Sequence, residues 1–293
     1  MTLEQLRIFV GVAEREHMTR AAEALNVTQS AASGAIAALE GRYGVPLFHR
    51  VGRGIQLTEA GRAFLDEARS VLGCAAHAET LLADYAGLAR GTLRLVASQT
   101  IASYWLPRHL VRFRRAHPGI AIQLSVGNTA QVARAVQEGT AELGFVEGAV
   151  DDPELEGQPV AKDQLVVVVG DGHPWAGYGA VPPERLVESE WVLREAGSGT
   201  RSVFEAALEG FGIAPSSLNV VLELPSNESV RAAVEAGMGA TAVSASVAAP
   251  SIEAGLLHQV PFSLPERTFS VLRSRRRHRS RAADTLLAII ATG

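Results

Sequence analysis

One cysteine, Cys74, leaves the 293-residue chain without an intramolecular disulfide or a thiolate zinc cluster, and any redox role would need a second chain. Lysine is as scarce: Lys162 stands alone among 27 basic residues, so a Schiff base has one candidate, and no flanking motif supports it. No stretch approaches the roughly 18 uninterrupted apolar residues of a membrane-spanning helix. The opening MTLEQLRIFVGVAERE carries Glu4, Arg7, Glu14, Arg15 and Glu16 where a secretory leader needs an apolar core, and the expected location is the cytoplasm. Signatures of enzymes are missing too. GSGTRS lacks the lysine and spacing of a Walker loop, no strand pattern runs into G-x-G-x-x-G, and no G-x-S-x-G elbow occurs. The histidines, His49, His77, His109, His117 and His173 among them, show no metal-ligand spacing and read as surface residues. An enzyme, a metal site and a cofactor are therefore not expected.

What is present is globular: 47% hydrophobic and 20% charged residues, with length for two or three domains. The net charge of −4 argues against a generally basic coat protein, yet Arg42, Arg50 and Arg53 share the stretch from 42 to 57 with no acid. Leu6, Phe9, Val10 and Ala13 recur at helical spacing over residues 3 to 16. Thr19 is expected to cap a second short helix ending at Asn26. Thr28 caps a third, running to about Tyr43 with Ala32, Ile36, Leu39 and Tyr43 inward before Gly44. VPLFHRVGRGIQLT reads as a β-hairpin wing around Gly52-Arg53-Gly54. This predicts a winged helix-turn-helix over residues 1–58. From Thr58 a long helix carries Phe64, Ala68, Val71, Ala75, Ala78 and Leu82 at alternating steps of four and three, a seam that wants a partner helix, so 59–90 is expected to be a dimerisation linker.

Beyond Arg90 the pattern alternates strands with helices, an α/β region over 91–293. Strands are predicted at LRLVAS, IAIQLSV, ELGFVEG, LVVVVG, WVLRE, VVLEL and ATAVSA, with the chain returning at FSVLRS. Two lobes follow: about 91–161 with 267–293, and about 162–266.

Gln29, Ser30 and Ser33 lie opposite Ile36 and Leu39 at the start of the third helix, where no acid occurs before Glu40. A positive helix end and short polar side chains suit phosphate approach and base edges. Arg50 and Arg53 would reach phosphates or a minor groove. In the α/β region, Ser98-Gln99-Thr100, the loop ending at Thr129, and Gly197-Ser198-Gly199-Thr200-Arg201 each fall between a strand end and a helix start, where open α/β sheets bind ligands and free N–H groups favour anions. Arg194 and Arg201 could add a guanidinium fork. The six arginines from Arg273 to Arg281 suit a nucleic-acid patch or a solvated turn equally.

Taken together these residues resemble LysR-type transcriptional regulators along the whole chain. TRAAEALNVTQSAASGAIAALEGRYGVPLFHRVGRGIQLTEAGRAFL carries the match, with Leu47-Phe48 before the wing and Thr58-Glu59-Ala60-Gly61 opening the linker. The resemblance implies that Thr28, Gln29, Ser30 and Ser33 read DNA and that Arg50 and Arg53 serve in the wing. Gly34 stands where many members carry a basic or amide side chain, which removes one contact, and Ser30 replaces the commoner proline. It further implies a two-lobed α/β effector domain of the type 2 periplasmic-binding-protein kind, with Ser98, Gln99, Thr100, Thr129 and Asn227 at the effector. REAGSGTR is similar to a subgroup regulating sulfur assimilation and carbon-fixation operons, whose effectors are oxyanions or phosphorylated metabolites. Expected partners are double-stranded promoter DNA with inverted-repeat half-sites, a small anionic metabolite and further copies of the chain as dimer or tetramer. RNA polymerase is a further candidate, and no membrane is expected. The alternative is a solute-binding-like sensor that does not read DNA specifically.

Overall fold

The computed structural model describes residues 1–52, 54–85, 91–177, 179–277 and 279–292. The chain divides into two compact units, Met1–Leu88 with Gln137–Ala141, and Ala89–Val136 with Glu142–Gly293.

In the first unit, α1 (Leu3–Arg15) starts on a capping box. The Thr2 hydroxyl accepts from the Gln5 amide and the Gln5 side chain accepts from Thr2 N, so two otherwise orphaned donors are satisfied. Its Leu6, Phe9 and Val12 are buried against Ala21 and Ala22 of α2 (Met18–Ala24) and against Ala32, Ile36 and Leu39 of α3 (Gln29–Tyr43). The cap of α2 is His17 rather than Thr19: His17 Nδ1 accepts from Arg20 N at 3.3 Å. Tyr43, expected inward, is 58% exposed. Leu47, just after the helix, is buried in the head's core instead. The wing is an antiparallel hairpin of β1 (Phe48–Val51) and β2 (Gly54–Leu57), paired from Phe48↔Leu57 to Val51↔Gly54. α4 (Glu59–Tyr85) begins where Thr58 Oγ1 accepts from Gly61 N at 2.9 Å. A side chain at Gly61 is barred by packing, since a Cβ there would lie 2.1 Å from the Leu47 carbonyl oxygen. The expected helix end at Arg90 lies outside the described residues.

The second unit is built on one hydrogen-bonded sheet ordered β4 (Ile120–Gly127), β3 (Gly91–Ser98), β5 (Leu143–Glu147), β11 (Glu266–Ser274), β6 (Leu155–Gly170), β9 (Ala240–Ser244), β7 (Glu190–Arg194), β8 (Asn219–Leu224), with β10 (Leu257–Gln259) also on β6. One lobe stacks parallel β3 (Gly91–Ser98), β4 (Ile120–Gly127) and β5 (Leu143–Glu147). α5 (Leu106–Ala116) and the helix Arg281–Ala291 bury Leu106, Phe113, Leu286 and Ile290 in that lobe's core. The other lobe sets β7 (Glu190–Arg194) between β8 (Asn219–Leu224) and β9 (Ala240–Ser244), all parallel, around Trp191 and Phe204.

LVVVVG, expected as a short strand, is the last stretch, from Leu165, of a 16-residue strand, β6 (Leu155–Gly170). Its first half, through Gln164, pairs antiparallel with β11 (Glu266–Ser274); from Leu165 it pairs antiparallel with β9, and its last residues with β10 (Leu257–Gln259). β6 and β11 thus carry the chain between lobes, and the exchange of partners falls at 164/165, three residues beyond the expected lobe boundary. The mixed residues GQPVAKD hid this half, because alternating polar positions over a half-covered sheet lack a continuous apolar run.

The arginine run leads from the end of the strand Glu266–Ser274 through a bend to the helix Arg281–Ala291, and four of its described members are engaged locally. Arg273 meets Glu156 at 2.8 Å and Arg276 meets Glu154 at 2.9 Å, while Arg275 and Arg277 donate to the carbonyls of Leu155 and Val136 at 3.0 Å. His109 departs from the surface reading. It is 2% exposed, its ring sits 4.7 Å from that of Trp105, and burial, followed by the charges of Arg108 and Arg112, lowers its pKa below 6.5. Among the described residues no three His, Cys, Asp or Glu side chains form a metal-sized group, and no helix is long and apolar enough to cross a membrane.

Candidate functional site

The DNA-reading candidates belong to the first unit, on the start of α3 and on the wing. Thr28 ends the turn before α3 and its hydroxyl accepts from Ala31 N at 3.2 Å while lying 3.0 Å from Ser30 Oγ. Gln29, Ser30 and Ser33 are exposed on the first turns of α3, and Arg50 is exposed on β1. Arg53 lies outside the described residues. On α4, Ala68 is 1% exposed and Phe64 packs 4.8 Å from Phe9, so both belong to the head's own core rather than to a partner-facing seam. Ala75 is half-buried and Ala78 exposed, while Val71 (42% exposed) and Leu82 (70%) remain as the large apolar side chains of that seam.

In the second unit the strand ends and helix starts named from sequence meet where the lobes face each other, and they sort into two clusters. The first is centred on Glu147, the last residue of β5. Its carboxylate accepts from Ser98 Oγ at the end of β3 and, at 3.3 Å, from Thr200 Oγ1 in the first turn of α7 (Gly199–Gly210). Its backbone carbonyl accepts from Thr129 Oγ1, the first residue of α6 (Thr129–Glu138), at 3.1 Å. Arg267 Nη1 lies 3.8 Å from Glu147 Oε1 and donates to Thr200 Oγ1 at 3.0 Å. The same guanidinium is held by Asp163, through Nε at 2.7 Å and Nη2 at 2.6 Å, and Asp163 accepts from Ser244 Oγ at 2.8 Å. Glu147 is 2% exposed and Arg267 3%. Such burial of charge is tolerated only with this density of partners. Gly199 is required by the same closeness: a Cβ there would stand 2.3 Å from the Glu147 carbonyl oxygen and 2.4 Å from Thr129 Oγ1.

The second cluster surrounds Asn227, which opens α8 (Asn227–Glu235) and is 0% exposed. Its amide nitrogen donates to Gln99 Oε1 at 2.6 Å and its side-chain Nδ2 to Thr100 Oγ1 at 3.0 Å. Its Oδ1 accepts from Arg194 Nη1 at 2.7 Å. Arg194 pairs with Glu195 through Nε at 2.8 Å and Nη2 at 3.0 Å, and Asn128 Nδ2 reaches Glu195 at 3.3 Å. Burial pushes the Glu195 carboxyl up, but the Arg194 hydrogen bond and charge outweigh it, so its pKa falls below the usual 4.5. Across both clusters, α6 from one lobe and α7 and α8 from the other present their N-termini to the seam, each adding partial positive charge.

Eight of the nine effector candidates lie at this seam: Ser98, Gln99, Thr100, Thr129, Arg194, Thr200 and Asn227 through the bonds above, and Ser198 buried at the α7 N-cap. Arg201 does not join them. Its guanidinium is engaged by Glu205 at 2.7 Å, by Glu223 and by the Arg194 carbonyl, so the expected fork with Arg194 is not formed. An i,i+4 carboxylate on its own helix captures it. Sequence reasoning missed Glu147, Asp163, Glu195 and Arg267. The one available signal was Glu147, an acid closing the otherwise apolar strand LGFV.

Comparison with known proteins places both units. Residues 3–62 match the model of the bacterial regulatory helix-turn-helix protein, lysR family, and residues 86–293 match the LysR substrate binding domain. YeiE of Escherichia coli K12, an uncharacterized HTH-type transcriptional regulator, is 36% identical over 289 residues, covering 98% of this chain and 96% of its own length. The regulatory domain of Synechocystis CcmR, solved with 2-PG, superposes with a TM-score of 0.63 at 28% identity, over 69% of this chain and 97% of that one. CbnR, a LysR family transcriptional regulator, shares the fold over 100% of this chain and 99% of its own, at 22% identity and a TM-score of 0.71. The chain belongs to the LysR family of DNA-binding transcriptional regulators, with a helix-turn-helix head and an effector-binding domain, and is not an enzyme.

Proposed function

We propose that this regulator reads promoter half-sites through Thr28, Gln29, Ser30, Ser33, Arg50 and Arg53 and is switched by a small anionic effector held between the lobes of its second unit. The supporting observation is the convergence of Ser98, Thr100, Thr129, Thr200 and Asn227 with three helix N-termini at one interlobe seam. Hydroxyls, amides and helix starts of this kind are the donors that oxyanions use in place of water. The 2-PG in CcmR supports the same class of ligand.

The working division is a head over 1–58, a linker over 59–90 that dimerises through the seam led by Val71 and Leu82, and an effector domain over 91–293, acting in the cytoplasm. Two dimers on adjacent half-sites give a tetramer. Effector binding biases lobe closure, and so subunit packing and DNA bend, which makes the coupling reciprocal: DNA changes effector affinity by the factor by which effector changes DNA affinity. The test is calorimetric titration of the full-length protein with 2-PG and inorganic phosphate, alone and on a selected promoter fragment. The reading expects binding that Asn227→Ala removes and an affinity that differs with DNA. Equal affinity in both states, with unchanged footprint and bend, contradicts it.

A further inference from the structure

Ser98, Thr129 and Thr200 are three hydroxyls expected to hold an anion, and all three donate to one residue, Glu147. Two of those bonds go to its carboxylate, which the Arg267 guanidinium also faces at 3.8 Å. Arg267 is shared: Asp163 takes Nε and Nη2. This cluster therefore holds two carboxylates against one guanidinium, and its surplus is negative before any effector enters. A fully deprotonated oxyanion beside Glu147 would meet a buried like charge that the partial positive charge of the helix N-termini offsets only in part. An oxyanion that keeps an O–H is different, because a carboxylate is an acceptor only and such a ligand supplies the donor it needs.

Resting on the anionic-effector reading, we propose that Glu147 is the specificity-determining residue of the cleft, and that it selects oxyanions carrying a proton or hydroxyl over those with none. Ser98 and Thr200 rotate their hydroxyls to donate to the ligand and so keep their bonds, while Glu147 replaces at least one of the two bonds it gives up by accepting from the ligand's O–H. The buried carboxylate with no donor to spare rejects the aprotic anion, as sites with an unpaired polar group do.

Inorganic phosphate, a mixture of monoanion and dianion at pH 7 that always carries at least one O–H, and sulfate, a dianion that carries none, share size and tetrahedral shape. Titration calorimetry of the full-length protein at pH 7 and fixed ionic strength should show phosphate bound at least about tenfold more tightly than sulfate. Glu147→Gln offers both a donor and an acceptor without charge, and it should bring the two affinities within about threefold, chiefly by admitting sulfate. Equal affinities in the unmodified protein overturn the proposal, as does discrimination that survives in Glu147→Gln; either leaves the anionic-effector reading standing. Binding of neither anion by the unmodified protein or by Glu147→Gln removes both. Should Glu147→Gln not fold, Glu147→Asp keeps the charge and sets it back by one methylene, and it is expected to retain rejection of sulfate. The phosphate-to-sulfate ratio of the unmodified protein decides the matter without any variant.

Discussion

Arg267 and Asp163 stand directly opposite each other on β11 and β6, with Arg267 Nε donating to Asp163 Oδ2 at 2.7 Å at the point where β6 leaves one lobe for the other. Their side chains are 1% and 8% exposed. The pair is thus both a fastening of the crossing strands and, through Thr200 and Glu147, part of the interlobe seam.

Removing one partner of that pair strands a buried charge. Asp163→Ala should destabilise the effector domain by about 3–5 kcal/mol, read from urea unfolding monitored by tryptophan fluorescence. A loss below about 1 kcal/mol would show that the guanidinium finds water or Glu147 instead.

The close approach of α7 to Glu147 and Thr129 depends on the bare backbone of Gly199. Gly199→Ala places a Cβ against the Glu147 carbonyl oxygen and Thr129 Oγ1, neither of which is the end of a flexible chain. The variant should lose anion binding at least about tenfold, a cost of about 1.4 kcal/mol, in calorimetry, while DNA affinity measured by anisotropy without effector stays within about threefold. Unchanged anion binding would mean that the seam closes by another route.

On the head, exposed residues should divide by what they touch. Arg50→Ala should weaken binding to all sequences alike and reduce the salt slope by about one unit, whereas Gln29→Ala should cost about 1–3 kcal/mol on the preferred site and relax base preference. The same sequence-selective loss in both variants would contradict that division.

The long helix makes a sharper contrast. Leu82→Asp, at a 70% exposed position, should shift sedimentation toward the monomer without lowering the thermal midpoint of the head at matched monomer fraction, while Ala68→Asp, at 1% exposure, should unfold the head. Loss of folding in both, or in neither, would remove the distinction between own core and partner seam.

Burial lowers the pKa of His109, aided by Arg108 and Arg112, and burial lowers that of His173. The folded state therefore holds these rings neutral while the unfolded chain protonates near the ordinary 6.5. The stability they contribute is complete above pH 6.5 and declines as pH falls through that value toward their folded-state pKa values. Urea midpoints should drop from pH 7.5 to 5.5, and the double change His109→Gln, His173→Gln should flatten that drop. A slope unaltered in the double variant would assign the pH dependence to other groups.

Sequence made the local events legible because each has a short-range cause. Thr28 and Thr58 cap helices through their own hydroxyls, and the apolar stripe of Leu6, Phe9 and Ala13 turns inward as its spacing requires. The strand ends that place Ser98, Thr129 and Thr200 at the cleft were legible for the same reason. Arg194 was read without its partner Glu195, and Glu147 and Arg267 were not read at all. A buried charge is identified by its partner, and the partner of Arg267 lies 104 residues earlier on a strand whose first half has no apolar signature. Arg201 was misplaced in the converse way, since a glutamate four residues along its own helix took the guanidinium assigned to the ligand.

The central claim, a specific DNA reader switched by an anion, is tested most directly by selecting fragments of the source genome with the full-length protein at physiological salt, with and without inorganic phosphate and 2-PG. The account predicts retention of a few promoter-proximal fragments that share an interrupted inverted repeat, with occupancy changed by at least one of the two anions. Retention indifferent to sequence, and unaltered by either anion, would contradict it.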